Sequence, residues 1–151
     1  MIASLITEAQ VRSVSLQASG LTCSMCSNAI NKSLKTLDFV GDVEADIKTY
    51  TFHILFKPGV AIDFDKIKNK VESAGFTVCA FIATINFDNV RVINSQAVVI
   101  ADKTLLFQQP VEQVLNGEKK VRLLDKGFVS AKEFKKNAIS LLSPGTYHVS
   151  I

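Results

Sequence analysis

The sequence predicts an α+β protein, with a ferredoxin-like βαββαβ domain over residues 11–86 followed by a small mostly-β domain over residues 87–151. Two observations carry the first part. The apolar spacing switches from period 2 to helical and back in the order strand, helix, strand, strand, helix, strand. The switches fall at Gly20, Phe39-Val40-Gly41-Asp42, Lys57-Pro58-Gly59 and Gly75, where turn residues cluster. The second part rests on a run of short β-favouring segments.

The elements follow in order. Val14, Leu16 and Ala18 alternate with Ser13, Ser15, Gln17 and Ser19, as in a strand with one covered face. From Ser24 onward Cys26, Ile30, Leu34 and Leu37 form one helical stripe. A second strand is expected to point Val43, Ala45 and Ile47 inward, and a third Tyr50, Phe52, Ile54 and Phe56. Asp63 is placed as the N-cap of a second helix whose stripe is Phe64, Ile67, Val71 and Ala74, and Gly75 as its C′ residue. The fourth strand, Phe76 to about Asn86, is apolar on both sides: Phe76, Val78, Ala80 and Ile82 alternate with Cys79, Phe81, Ala83 and Ile85. A sheet with one wet face should alternate, so the remainder of the chain or a second copy of the protein is expected to cover the other face.

The remainder reads as strands over 90–93, 97–101, 103–107, 111–115, 119–124 and 146–151, with Asn116-Gly117 as a hairpin turn. Ser130 and Glu133 form a capping-box pattern that opens a short helix. Strands in that number suggest an OB-like, partly open barrel or a small sandwich.

Composition narrows the function. Of 151 residues 48% are apolar, enough for a packed core, and the net charge of +3 arises after residue 86, where Lys/Arg outnumber Asp/Glu by 9 to 6 against 8 to 8 before it. Lys119-Lys120-Val121-Arg122 reads as a solvated strand edge, and no nucleic-acid partner is expected. No apolar stretch reaches the roughly 20 residues of a membrane span. Met1-Ile2-Ala3-Ser4-Leu5-Ile6 followed by Thr7-Glu8-Ala9 resembles the tail of a secretory signal within residues 1–10, with a cut near Ala9-Gln10. This gives a periplasmic or secreted location as the expectation, the alternative being a cytoplasmic protein with a frayed N-terminus.

Three cysteines cannot form a complete disulfide framework. Cys23 and Cys26 stand at a loop-to-helix junction, where the unpaired N–H groups and positive dipole end of the first turn favour thiolates. Two thiolates suit near-linear Cu(I) or Hg(II), whereas Zn(II) usually takes four ligands. Other donors are few. His53 falls on the strand face away from the helices, His148 lies in a distant segment, Met25 is a weak thioether inside the loop, and Cys79 is a packed thiol or a third ligand.

Gly20-Leu21-Thr22-Cys23-Ser24-Met25-Cys26 resembles the Gly-Met-Thr-Cys-x-x-Cys signature of the heavy-metal-associated domain family, found in copper chaperones, copper-transporting ATPases and mercury-binding proteins. The resemblance covers about residues 12–86 and includes Gly75-Phe76, similar to the family's Gly-Tyr or Gly-Phe. It implies metal ligation by Cys23 and Cys26, support of the loop by Leu21 and Thr22, and packing of Phe76 beside it. Leu21 stands where the family usually has Met, a change of little volume. Thr22 stands where zinc- and cadmium-preferring relatives often have Asp, which points to Cu(I), with Hg(II), Zn(II) and Cd(II) as alternatives.

The resulting expectation is a non-enzymatic protein that binds Cu(I) for transfer, trafficking or detoxification. Its partner would be a donor or acceptor protein with a similar thiolate site. Two other classes fit a Cys-x-x-Cys: a thiol-disulfide redox protein, and a metal-responsive sensory or interaction module. The first is disfavoured by the absence of Trp and by the positions of Pro58, Pro110 and Pro144. A homodimer through the open sheet face is the remaining expectation on assembly.

Overall fold

The computed structural model of the chain describes residues 10–19, 24–57, 59–92, 97–100, 103–108, 113–137 and 146–151. The elements are β1 (Gln10–Ser19), α1 (Ser24–Lys35), β2 (Val40–Asp46), β3 (Thr51–Phe56), α2 (Phe64–Ser73), β4 (Thr77–Val92), β5 (Ala97–Ile100), β6 (Lys103–Phe107), β7 (Gln113–Leu123), α3 (Ala131–Asn137) and β8 (Thr146–Ser150). The expected βαββαβ order is present. Its four strands take the order β2-β3-β1-β4, all antiparallel.

Periodicity explains the helical layer. Ile30, Leu34 and Leu37 from α1 and its exit, with Phe64, Ile67 and Val71 from α2, are buried against Val14, Leu16, Ala18, Phe52 and Ile54 of the sheet. Asp63 caps α2, its carboxylate accepting the N–H groups of Asp65 at 2.9 Å and Lys66 at 3.3 Å. The other end closes in a Schellman arrangement. Gly75, at φ +95°, donates to the Glu72 carbonyl, and Phe76 donates to that of Val71.

Three expectations within this unit change. Ile47 and Tyr50 belong to the turn between β2 and β3 and are exposed, Tyr50 at φ 53°, while Ala45 is exposed because β2 is an outer strand with little over its end. On β4 the two apolar rows are one row whose phase flips. Ala18 pairs with Val78 but Gln17 with Ala80, so Cys79 is the extra residue of a β-bulge. Beyond it Phe81, Ala83, Ile85 and Phe87 join Val78 on the core side, leaving Ala80, Ile82 and Thr84 half-buried on the other.

The C-terminal half departs furthest from expectation. No separate barrel or sandwich forms among the described residues: β4 continues past Asn86 to Val92, and the later strands extend the same sheet to the order β2-β3-β1-β4-β7-β8-β6-β5. The sheet has two ends, β2 and β5, so it is open. Asn116-Gly117 is not a hairpin turn. It lies inside β7, where Gly117 at φ +85° pairs with Phe87 and faces a second β4 irregularity that contains Asn89 at φ 51°. The positive φ that Asn-Gly supplies serves a bulge instead of a reversal.

The two halves share one core. Phe64 of α2 meets Phe81 of β4 at 5.3 Å between ring centroids and Tyr147 of β8 at 5.5 Å. Phe128, from the turn after β7, stands edge-on to Phe81 at 5.0 Å and to Tyr147 at 5.6 Å. Buried Lys103 reaches back to donate to the Ile62 carbonyl, its ammonium 4.9 Å from the Phe64 ring centre. On the opposite face, Arg122 joins Glu133 of α3 at 2.7 Å. The capping box of α3 is therefore half made: Ser130 Oγ accepts the Glu133 N–H, while the Glu133 carboxylate serves Arg122.

Candidate metal site

The segment expected to hold the metal leaves the sheet at Ser19 and enters α1 at Ser24. Leu21, Thr22 and Cys23 lie outside the described residues, and Cys26 is the third residue of α1, in its first turn. That turn contains no acidic residue, and Lys32 and Lys35 occupy the last turn. The helix dipole thus keeps its positive end at the cysteine-bearing terminus, where it favours a thiolate over a thiol.

Three segments frame the two ends of this loop. The Ala18 N–H donates to the Tyr50 carbonyl at 3.1 Å, and Gln17 Nε2 donates to that of Thr49 at 2.9 Å, which ties the end of β1 to the β2–β3 turn. On the other side Ser19 and Thr77 share a hydroxyl–hydroxyl hydrogen bond of 2.5 Å. Phe76, one residue before Thr77 and held by the Schellman closure, is half-buried against the core. The end of β1, the β2–β3 turn and the start of β4 are therefore tied together at one end of the sheet. The turn Ile47–Tyr50 escaped the sequence reading, because Ile47 and Tyr50 fit the inward rows of their strands by parity and only the turn's position shows otherwise.

The remaining donors are dispersed. Cys79, a free thiol at the bulge, donates its S–H to the Gln17 carbonyl at 3.3 Å. Burial pushes this thiol up, while Arg122 pulls it down and Glu133 adds to the rise. His53 is exposed on the face away from α1 and α2. His148 is buried, with its Nδ1 2.8 Å from Asp125 Oδ1 and its backbone N–H donated to Asp125 Oδ2 at 2.6 Å. Among the described residues no three His, Cys, Asp or Glu gather around a metal position, and no helix is long and apolar enough to cross a membrane.

Fold order, loop position and Gly75-Phe76 together define a ferredoxin-like domain with a cysteine-bearing loop opening its first helix. Residues 15–77 match the family model of the heavy-metal-associated domain. Over 60 residues the chain is 35% identical to the probable copper-transporting ATPase HMA5 of Arabidopsis thaliana, a match covering 40% of this chain and only 6% of the plant protein. Among solved structures it is similar to the yeast copper transporter domain CCC2A, studied in apo and Cu(I)-loaded states. That match has 33% identity and a TM-score of 0.39, and covers 44% of this chain and 90% of that one. The water-soluble region of the P-type ATPase CopA from Bacillus subtilis is similar at 28% identity, with a TM-score of 0.41, over 50% of this chain and 48% of that one.

Proposed function

We propose that the protein binds one Cu(I) through Cys23 and Cys26 and hands it to a partner with a similar pair of thiolates, acting as a carrier and not as an enzyme. The observation that carries this reading is that the matched segment 15–77 contains both cysteines, one of them in the first turn of α1. The relatives at 35% and 33% identity bear copper in their names, which favours copper over Hg(II), Zn(II) or Cd(II).

The chemistry follows from coordination number. Two thiolates satisfy Cu(I) in a near-linear site, and a soft d¹⁰ ion so held accepts a third sulfur without first losing one. An incoming thiolate adds, one resident thiolate leaves, and a second exchange completes the transfer. The dipole of α1 stabilises the anionic sulfurs between steps. Polar Thr22, Ser24 and Ser27 leave the loop compatible with an approaching partner.

Anaerobic titration against a coloured Cu(I) chelator tests this. One tight equivalent is expected, lost in Cys23→Ser/Cys26→Ser; equally tight binding by that double variant would overturn the assignment.

A further inference from the structure

The sheet face turned away from α1 and α2 carries an ordered charge gradient. Strand register sets its rows directly. In the first row Asp42 of β2 is followed by Leu55, Ser13, Thr84 and Lys120 of β7. In the second Glu44 is followed by His53, Ser15, Ile82 and Arg122. Each row begins with a carboxylate and ends, four strand spacings or roughly 19 Å away, with a cation.

The two ends are built differently. On β2 the alternation places Asp42, Glu44 and Asp46 together on this face, all exposed, with Lys35 3.9 Å from Asp42. On β7 Arg122 is taken by Glu133, which ties α3 to this side. Helical spacing then turns Lys132 and Lys135 away from Glu133, while Lys136, three residues on, lies on the Glu133 side; all three are exposed, as is Lys120. Between the charged ends lie Ser13 and Ser15 of β1, His53 and Leu55 of β3, the latter 46% exposed, and Thr84 and Ile82 of β4; beside Lys120 on β7, Glu118 is already paired with Arg12 at 3.5 Å.

We propose that this face is an interface with a second copy of the chain, in which the β2 carboxylates of each protomer meet the Lys120 and α3 cations of the other. The gradient fixes the symmetry. A twofold axis lying in the interface along β1 reverses the order of strands but not their direction, so it sets acid over base at both ends at once. A twofold axis across the strands would set acid against acid. The contact is isologous and closes at two copies. With a polar centre and charged rims it is wet and strongly salt-dependent. Because strand direction is kept, both copies turn the Ser19 end of β1 to the same side. This inference does not rest on copper binding.

The test is sedimentation velocity on the full, metal-free chain with a chelator and reductant present, which removes metal bridging and Cys79 disulfides. A dimer is expected at about 0.05 M salt, its dissociation constant rising by about tenfold or more at about 0.5 M. Asp42→Lys/Glu44→Lys should be monomeric at low salt, as should Lys120→Glu/Lys132→Glu/Lys135→Glu, with circular dichroism confirming the fold of each. Mixing the two variants should restore a heterodimer. A wild-type monomer at low salt, a dimer indifferent to the reversals, or no association on mixing would each overturn the proposal.

Discussion

Cys79 stands apart from the other two thiols by its surroundings. It is the bulged residue of β4, donates to a backbone carbonyl, and is held above the ordinary thiol range first of all by burial. In a Cys23→Ser/Cys26→Ser background its alkylation by iodoacetamide at about pH 8 should be slower than in the urea-unfolded chain, and should keep rising beyond the pH at which a free cysteine levels off. Mass spectrometry of quenched samples reads both rates; equal rates folded and unfolded would refute the burial.

Asp65 and Tyr147 face one another across the junction of the two halves. Burial and then the Asp63 carboxylate raise Asp65, and burial followed by Asp65 raises Tyr147, which hydrogen-bonds to it. Both groups therefore resist ionising when folded. Their contribution to stability is fully present below their unfolded pKa values and lost as pH rises through the folded ones. Asp65→Asn should stabilise the protein in urea unfolding at about pH 7, with the gain vanishing at about pH 3. Tyr147→Phe should remove part of the loss of stability above about pH 10.

Among the elements, α2 was the most legible in sequence, because each of its signals is local. Asp63 caps through hydrogen bonds two and three residues on, and Gly75 supplies a positive φ that other residues rarely adopt. Asp63→Ala should cost about 1 kcal/mol in denaturant unfolding. Stripes such as Ile30-Leu34-Leu37 were equally readable, since burial follows their spacing.

The strands were less so. A bulge such as that at Cys79 leaves no mark in an apolar run, yet it moves Phe81 and Ile85 to the same face as Val78. Asn116-Gly117 carried a correct conformational signal, since Gly117 does take positive φ, but only the β4 partner decides between turn and bulge. Of the candidate site, the placement of Gly75-Phe76 beside the end of β1 was legible through topology. The contribution of the Ile47–Tyr50 turn was not, because alternation assigns Tyr50 to the inward row of β3.

At the scale of the molecule, the eight strands among the described residues form one sheet over one continuous core. Phe64, Phe81, Phe128 and Tyr147 come from α2, β4, the turn after β7 and β8, so neither half can lose its packing alone. Far-UV circular dichroism and tyrosine fluorescence should report a single coincident thermal transition. Phe128→Ala should lower it as a whole, at a cost of about 3–5 kcal/mol. Two separated transitions would show that the aromatic cluster does not couple the halves. The pairing of β4 with β7 also gives the matched domain an extended edge, while its loop end stays at the far tip of β1.

X-ray absorption at the copper edge of the Cu(I)-loaded protein tests the proposed two-thiolate site most directly. Two sulfur scatterers and no nitrogen are expected in the first shell, lost when Cys23 and Cys26 are both changed to Ser; a shell containing nitrogen ligands, or one unchanged in that variant, would contradict ligation by the two thiolates.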